Sequence, residues 1–461
     1  MPELEELRTA ARERFDAALG AADARRAVLG AVEFDGARLR VGDVRFALPR
    51  RAPKVFSVAL GKAAAAMASA LGERLGDALA GGVLSAPPSH FLLSERWRVY
   101  EGGHPLPNES SFEAARAALD LLAEADGRAA PVVFLVSGGG SAMLELPRDP
   151  RLTLEDLREA NRALVSCGAP IAEVNAVRRA LSAVKGGGLA ARAPRSAQAT
   201  LVVSDVAAGR AYDVASGPTL GRPEDSASVK EVVGRYRLAL RLPPAVVRAL
   251  EDSEASPAPA RATGEARRFF KVLLDNEGAC EAAAAAARAR GFAVEYARDI
   301  ADQAVDEGAA ALVSRLAALR AREGAAAARG VCLVSGGEFS CPVRGAGTGG
   351  RNSETALRVA FEFERLAEAG APRHTPGHAV ALCAGTDGVD GNSPAAGALC
   401  DGATLARARS LGLDPRGFLE GSDAHTLFSR LGDAVTTGPT GTNVRDVRIL
   451  LAGRIRRNLK Q

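Results

Sequence analysis

The residues of this chain best suited to chemistry are cations set beside glycine. Arg351 closes the stretch 331–351, in which an apolar run over 331–334 stops at Ser335-Gly336-Gly337-Glu338. Gly345, Gly347, Gly349 and Gly350 then lead into Arg351-Asn352-Ser353-Glu354 and a helical pattern. That order predicts a strand, an anion-sized loop and a helix N-terminus. Glycine lets backbone N–H groups approach an oxyanion without Cβ interference, and the positive end of a helix favours the same charge. A guanidinium at the mouth adds a forked donor suited to phosphate or carboxylate. Tight turns alone use glycine in this way too, so recurrence matters. The same device returns at Ser137-Gly138-Gly139-Gly140-Ser141, after the apolar run 132–136. Two such turns point to a polyanionic, phosphorylated ligand.

Only six of the 59 cationic side chains are lysine. Two of the six sit beside glycine: Lys62 in Leu60-Gly61-Lys62-Ala63, and Lys185 before Gly186-Gly187-Gly188. A compact ammonium is selected there over a guanidinium fork. Lys62 falls where a buried strand over 55–60 meets a helix, the place where open α/β sheets hold ligands. Asn175, Arg178 and Lys185 share a stretch of helical spacing over 153–191, with Arg178 and Lys185 two turns apart on one predicted face, which suits a substrate carboxylate. His104, between Gly103 and Pro105, fits either a proton carrier or a turn residue satisfied by backbone. Asp205 ends a strand over 200–203, and Asp387 and Asp390 lie on a glycine-rich turn after a strand over 380–384. All three suit Mg²⁺, although Asp-Gly pairs also make plain turns. Thr440 and Asn443 belong to TTGPTGTN (436–443), too rich in hydroxyl and glycine for a connector.

The elements that position these residues alternate strand and helix in both halves, which predicts α/β architecture with a parallel sheet and helices on both faces. At 461 residues, two domains are expected. Residues 252–267, rich in Ser, Pro and Ala, read as the linker between domains at 1–255 and 268–461. Apolar content of 47% and charge of 25% fit a globular protein. Aromatics at 4% and a net charge of +4 without a basic block argue against nucleic acid. No apolar run is long enough to span a bilayer, and the charged opening is unlike a secretory leader. Six scattered cysteines without CxxC spacing fit a reducing cytoplasm.

Taken in order, LGKAAAAM, GGHPLPN, LVSGGGSAM, NAVRRALSAVKGGGLA, VSDV, ASGPT, SGGE, GTGGRNSE, GTDGVDG and TTGPTGTNV resemble the class II glycerate 2-kinases, whose carboxyl-terminal half is a MOFRL domain. The resemblance implies a Rossmann-like domain with a smaller MOFRL-type α/β domain and an active site in the cleft between them. It implies transfer of the γ-phosphoryl of MgATP to the 2-hydroxyl of D-glycerate by a monomer or homodimer. By this resemblance Lys62 and Arg351 would be the catalytic cations. Gly138, Gly139, Gly140, Ser141, His104, Asn175, Arg178, Lys185, Gly336, Gly337, Glu338, Gly349, Gly350, Asn352, Glu354, Thr440 and Asn443 are expected to serve substrate and phosphate, and Asp205, Asp387 and Asp390 are the expected metal carboxylates. Departures from the family pattern fall at Asn108 and Pro394, where it has aspartate, at Ser353, where it has glutamine, and at Gly209, where carboxylate is lost. A hydroxypyruvate reductase, a label carried by some related sequences, and a catalytically weak nucleotide or sugar-acid binding homologue are the alternatives.

Overall fold

The computed structural model describes residues 2–48, 54–221, 227–255, 268–323, 326–368 and 379–454. They form two compact units, residues 24–273 and residues 1–23 together with 274–461.

The unit of residues 24–273 opens with a helix, Ala24–Ala31, and an antiparallel three-stranded sheet of β1 (Val32–Phe34), β2 (Arg38–Val41) and β3 (Val44–Ala47). Its main sheet comprises β4 (Val55–Leu60), β5 (Leu79–Ala86), β6 (Trp97–Glu101), β7 (Val132–Ser137), β8 (Gln198–Val203) and β9 (Arg268–Leu274), in the order β6-β5-β4-β7-β8-β9. The pairs from β6 through β8 are parallel. Every residue of β4, β7 and β8 is buried, as expected when crossover helices cover both faces of a parallel sheet. The chain runs from β4 outward to β5 and β6, then crosses back to β7 on the other side of β4. That reversal leaves a crevice at the carboxyl ends of β4 and β7. Asn108 caps the crossover helix Glu109–Gly127 in a capping box with Ser111, which gives this residue a structural duty where the family has aspartate.

Two expectations are corrected here. Residues 252–255 complete the helix Pro244–Ala255, while 256–267 lie outside the described residues. β9, expected in the second domain, lies at the edge of this sheet, because Phe270 and Val272 pack on the core that holds Val58 and Phe134.

The other unit has a sheet of β10 (Ala293–Tyr296), β11 (Val331–Gly337), β12 (Ala379–Gly385), β13 (Gly397–Asp401), β14 (Ala434–Val435) and β15 (Asp446–Ala452), in the order β10-β11-β15-β12-β13-β14. Only β10 and β11 run parallel, and the other pairs are antiparallel. The parallel sheet expected here is therefore wrong in direction. Burial on both faces gives β11, β12 and β15 continuous apolar runs, and such runs carry no sign of strand direction.

The first helix, Pro2–Ala21, packs on the helix Asn276–Ala289 and on β12 and β15. Arg8 is tied to the buried carboxylates of Asp401 and Asp433. Residues 1–23 thus belong with the carboxyl-terminal half rather than with the domain expected over 1–255.

Candidate functional site

In the unit of residues 24–273, the predicted residues gather at the carboxyl edge of β4, β7 and β8. Gly61 has φ +107°, and a Cβ there would strike the backbone of Ser137 and Gly138. The two turns lock together: Lys62 N donates to Gly138 O at 2.8 Å, and Ala63 N donates to Ser137 Oγ at 3.0 Å. Gly139, at φ +80°, has Lys62 Cγ and His104 Cδ2 within 3.3 and 3.1 Å of where a Cβ would stand. The Asp205 carboxylate lies against Gly138, filling the space a side chain would need. Lys62, His104, Asp205 and the glycine turn therefore share one place. Among the described residues, no side chain or loop carbonyl accepts from the N–H groups of Gly139, Gly140 and Ser141. That backbone can receive an anion.

Behind the turn runs a buried polar chain. Ser141 Oγ and Ser216 Oγ are 2.8 Å apart, Ser216 Oγ donates to Asn175 Oδ1 at 3.0 Å, and Asn175 Nδ2 donates to Asp213 Oδ1 at 3.3 Å. Arg179 and Arg210 pair with the two oxygens of Asp213. Asn175 is thus engaged inside this chain.

Lys185 differs from expectation. The helix carrying Arg178, Ile171–Leu181, ends before it, and Lys185 is 2% exposed in an ion pair with Glu145, whose other oxygen accepts from Ser182 at 2.6 Å. Burial lowers the pKa of Lys185, Glu145 opposes that shift, and Arg178 adds to it. Arg178 itself is held by Asn161 Oδ1 at 2.9 Å. Lys185 thus steadies Glu145, which follows the short helix of the glycine turn.

In the other unit, Arg351 begins the helix Arg351–Glu368. Its Nε donates to Asp446 Oδ2 at 2.6 Å, and its Nη2 donates to Glu338 Oε1 at 2.7 Å and Asp446 Oδ1 at 3.2 Å. Asn352 Nδ2 also donates to Asp446 Oδ1, at 3.0 Å. Burial disfavours the Arg351 charge, but Asp446 and then Glu338 hold its pKa above the ordinary arginine value. The fork is fixed through Nε and Nη2.

The glycine loop before it is not the phosphate cradle its sequence suggests. Gly349 N donates to Asn392 Oδ1, Gly350 N to Ser353 Oγ, and the N–H groups of Asn352 and Ser353 to Asp390. Its donors are spent on its own cap. Gly350 is small because Asp390 and Gly391 press against it, and Gly345 and Gly347 because Gly421 and Asp423 do. Gly336 and Gly337 end β11 packed on Asn276 and Ala301. Glu354 is engaged in ion pairs with Arg344 and Arg358. Thr440 Oγ1 donates to Thr386 O at 2.6 Å, and Asn443 Oδ1 accepts from Arg445 N at 3.1 Å, so both shape the loop before β15.

Among the described residues, no three His, Cys, Asp or Glu side chains form a metal-holding group. Mg²⁺ on nucleotide phosphates needs only one or two carboxylates, with water and phosphate oxygens completing its shell. Asp205 fits that demand beside Lys62 and the open turn. Asp387 is half-buried just after β12, with its Oδ1 accepting from Val389 N at 3.2 Å. Asp390 does not fit: Oδ1 accepts from Asn352 N, and Oδ2 accepts from Ser353 N and Oγ. Ser353, glutamine in the family pattern, is part of that cap.

The sequence pattern does not single out Asp446, Asp213, Glu145 or Asn276, whose Oδ1 accepts from Gly337 N at 2.9 Å, and it offers Ser216 only as part of ASGPT, without a partner. Asp446 lies three residues beyond the last motif residue singled out, and Asp213 lies between VSDV and ASGPT. Strand register brings Asp446 to Arg351, and contacts across tens to more than a hundred and fifty residues pair the others, which no local spacing reveals.

Residues 10–251 match the family described as a domain of unknown function, DUF4147, and residues 331–446 match the MOFRL family. The D-glycerate 2-kinase of Thermotoga maritima is 33% identical over 401 residues, 86% of this chain and 90% of that protein. The glycerate 2-kinase of Pyrococcus horikoshii is 33% identical over 438 residues, 94% of each chain. An Agrobacterium vitis protein carrying a hydroxypyruvate reductase name is 37% identical over 399 residues, 86% of this chain and 98% of its own. The crystal structure of the Thermotoga maritima glycerate kinase superposes with a TM-score of 0.79 at 31% identity, covering 97% of this chain and all of that one. The chain belongs to the glycerate 2-kinase family, built of DUF4147 and MOFRL regions.

Proposed function

We propose that this protein is an ATP-dependent kinase that transfers the γ-phosphoryl group of MgATP to the 2-hydroxyl of D-glycerate, giving ADP and 2-phosphoglycerate. The observation that carries this reading is Lys62, locked between the carboxyl ends of β4 and β7 against a glycine turn whose N–H groups no side chain or loop carbonyl among the described residues takes. Phosphoryl transfer asks for positioning and for positive charge around the transferred oxygens, not for a covalent nucleophile. Lys62 supplies a point charge beside the anion-receiving backbone, and Arg351 supplies a guanidinium whose direction Asp446 and Glu338 fix. Asp205 would hold the magnesium ion, which supplies charge neutralisation to the phosphates when bound.

A reductase reading finds less support. A dinucleotide site needs a glycine-rich turn after the first strand and an acid at the end of the second. Here β4 is followed by the single glycine of Gly61-Lys62, and β5 ends at Ser85-Ala86 before Pro87. The test is ADP release from MgATP with D-glycerate, beside NADH oxidation with hydroxypyruvate. D-glycerate-dependent ADP release is expected, and NADH oxidation without it would overturn the proposal.

A further inference from the structure

The surrounding structure dictates the hydrogen-bond polarity of Ser141, the half-buried hydroxyl at the end of the glycine turn. Asp213 is a carboxylate, an acceptor only, and both its oxygens are taken by Arg179 and Arg210. Facing it, Asn175 must present its NH₂ group, which turns Oδ1 toward Ser216. A flipped amide would set oxygen against oxygen. Ser216 has one hydroxyl proton, and Asn175 Oδ1 takes it. In the 2.8 Å contact between the two serines, Ser141 must therefore be the donor. Its own proton is then spent, and lone pairs are all it offers to a ligand.

The backbone upholds this arrangement. Ala215 and Ser216 both stand at positive φ, +50° and +60°, although neither is glycine. Such conformations persist only where the surroundings over-determine them. Here Arg179 Nε and Gly186 N both bond the carbonyl of Ser216, at 3.1 and 3.2 Å, and Ala215 Cβ packs on Gly140. Ser216 is 1% exposed, so water does not compete for its proton, whereas Ser141 is half-buried.

We infer that Ser141 reads a hydroxyl group of the acceptor substrate rather than a phosphate or carboxylate oxygen. An anionic oxygen is an acceptor and finds no proton there, while an alcohol donates into the Ser141 lone pairs. The glycine turn thereby divides its work: backbone N–H groups for the anion, the Ser141 hydroxyl for the alcohol. The identity of that alcohol as D-glycerate rests on the kinase reading above.

The test is calorimetric titration of the full chain and its Ser141→Ala variant with D-glycerate and, separately, with a non-hydrolysable MgATP analogue. The variant is expected to bind D-glycerate about tenfold more weakly and the nucleotide as the wild type does, which also certifies its fold. D-lactate and 3-hydroxypropionate each keep one of the two hydroxyls. Sensitivity to Ser141→Ala is expected with one and not the other. Equal loss with both, loss of nucleotide affinity alone, or unchanged D-glycerate affinity would overturn the inference. Failure of the wild type to bind D-glycerate overturns it together with the kinase reading. Binding that depends on Ser141, but without ADP release in a parallel assay with MgATP, would contradict the kinase reading alone and leave the hydroxyl contact supported.

Discussion

Asp446 takes both Nε and Nη2 of Arg351 from the first position of β15, where it is in register with Gly337 at the end of β11 and Gly385 at the end of β12. One carboxylate thus joins three strand ends to the first residue of a helix. It is 1% exposed, with Arg448 3.8 Å away. Replacing Asp446 with Asn leaves two guanidinium groups without their buried partner. The expected loss is about 3 kcal/mol of stability and at least about tenfold in kcat, read by chemical denaturation and by steady-state kinetics. Wild-type kcat in this variant would detach Arg351 from the reaction.

Two glycines that look alike in sequence are expected to respond differently. In Gly350→Ala the new methyl meets Asp390 and the backbone of Gly391, which disturbs a helix cap and costs about 1 to 3 kcal/mol. In Gly138→Ala the methyl meets the Asp205 side chain and pushes that carboxylate from the edge of the sheet. Activity falls further than stability in the second variant and in step with it in the first. Thermal unfolding and turnover measured together separate the two cases.

The amino-terminal helix is a working part of the carboxyl-terminal unit. Arg8→Ala abandons Asp401 and Asp433, which are 2% and 1% exposed, and Arg407 at the rim reaches Asp433 as the remaining partner. About 3 kcal/mol is the expected cost. A fragment beginning at residue 268 is expected to precipitate or to lack cooperative unfolding, and co-expression with residues 1–23 to restore it.

Thiol chemistry gives a pH-dependent test. Burial pushes Cys280, Cys332, Cys341 and Cys383 up to about 12, and Cys400 well above its ordinary value. Native protein treated with iodoacetamide at mild alkaline pH is expected to be alkylated first at Cys167, a half-buried residue. The sign for stability follows from the raised values. Unfolded thiols ionise near their ordinary pKa of about 8.5, so these groups favour the fold fully below that pH, and the contribution is lost as pH rises toward 12. Denaturation midpoints measured across that range check it.

What the sequence disclosed was the local part of the site. Lys62 at the β4–helix junction, the turn at Gly138 to Gly140 and the cap on Asn108 follow from residue types a few positions apart, whereas the approach of Asp205 to Gly138 is set by the pairing of β7 with β8. The Gly349-Gly350 turn misled, because the residue that consumes its helix-end donors, Asp390, arrives from nearly forty positions downstream. Antiparallel insertion of β15 was equally hidden, and with it the role of Asp446. Lys185 carried a motif-like signal for a buried ion pair with Glu145, forty positions upstream. Register and long-range pairing, rather than composition, decide those cases.

The most direct measurement is phosphorus NMR of the product formed from MgATP and D-glycerate by the wild type and by Lys62→Ala and Arg351→Ala. The expected result is 2-phosphoglycerate from D-glycerate and none from L-glycerate, with turnover reduced about 100-fold or more in each variant while both remain folded. Phosphorylation at the 3-position, turnover unchanged by loss of Lys62, or no transfer to D-glycerate at all would contradict the account.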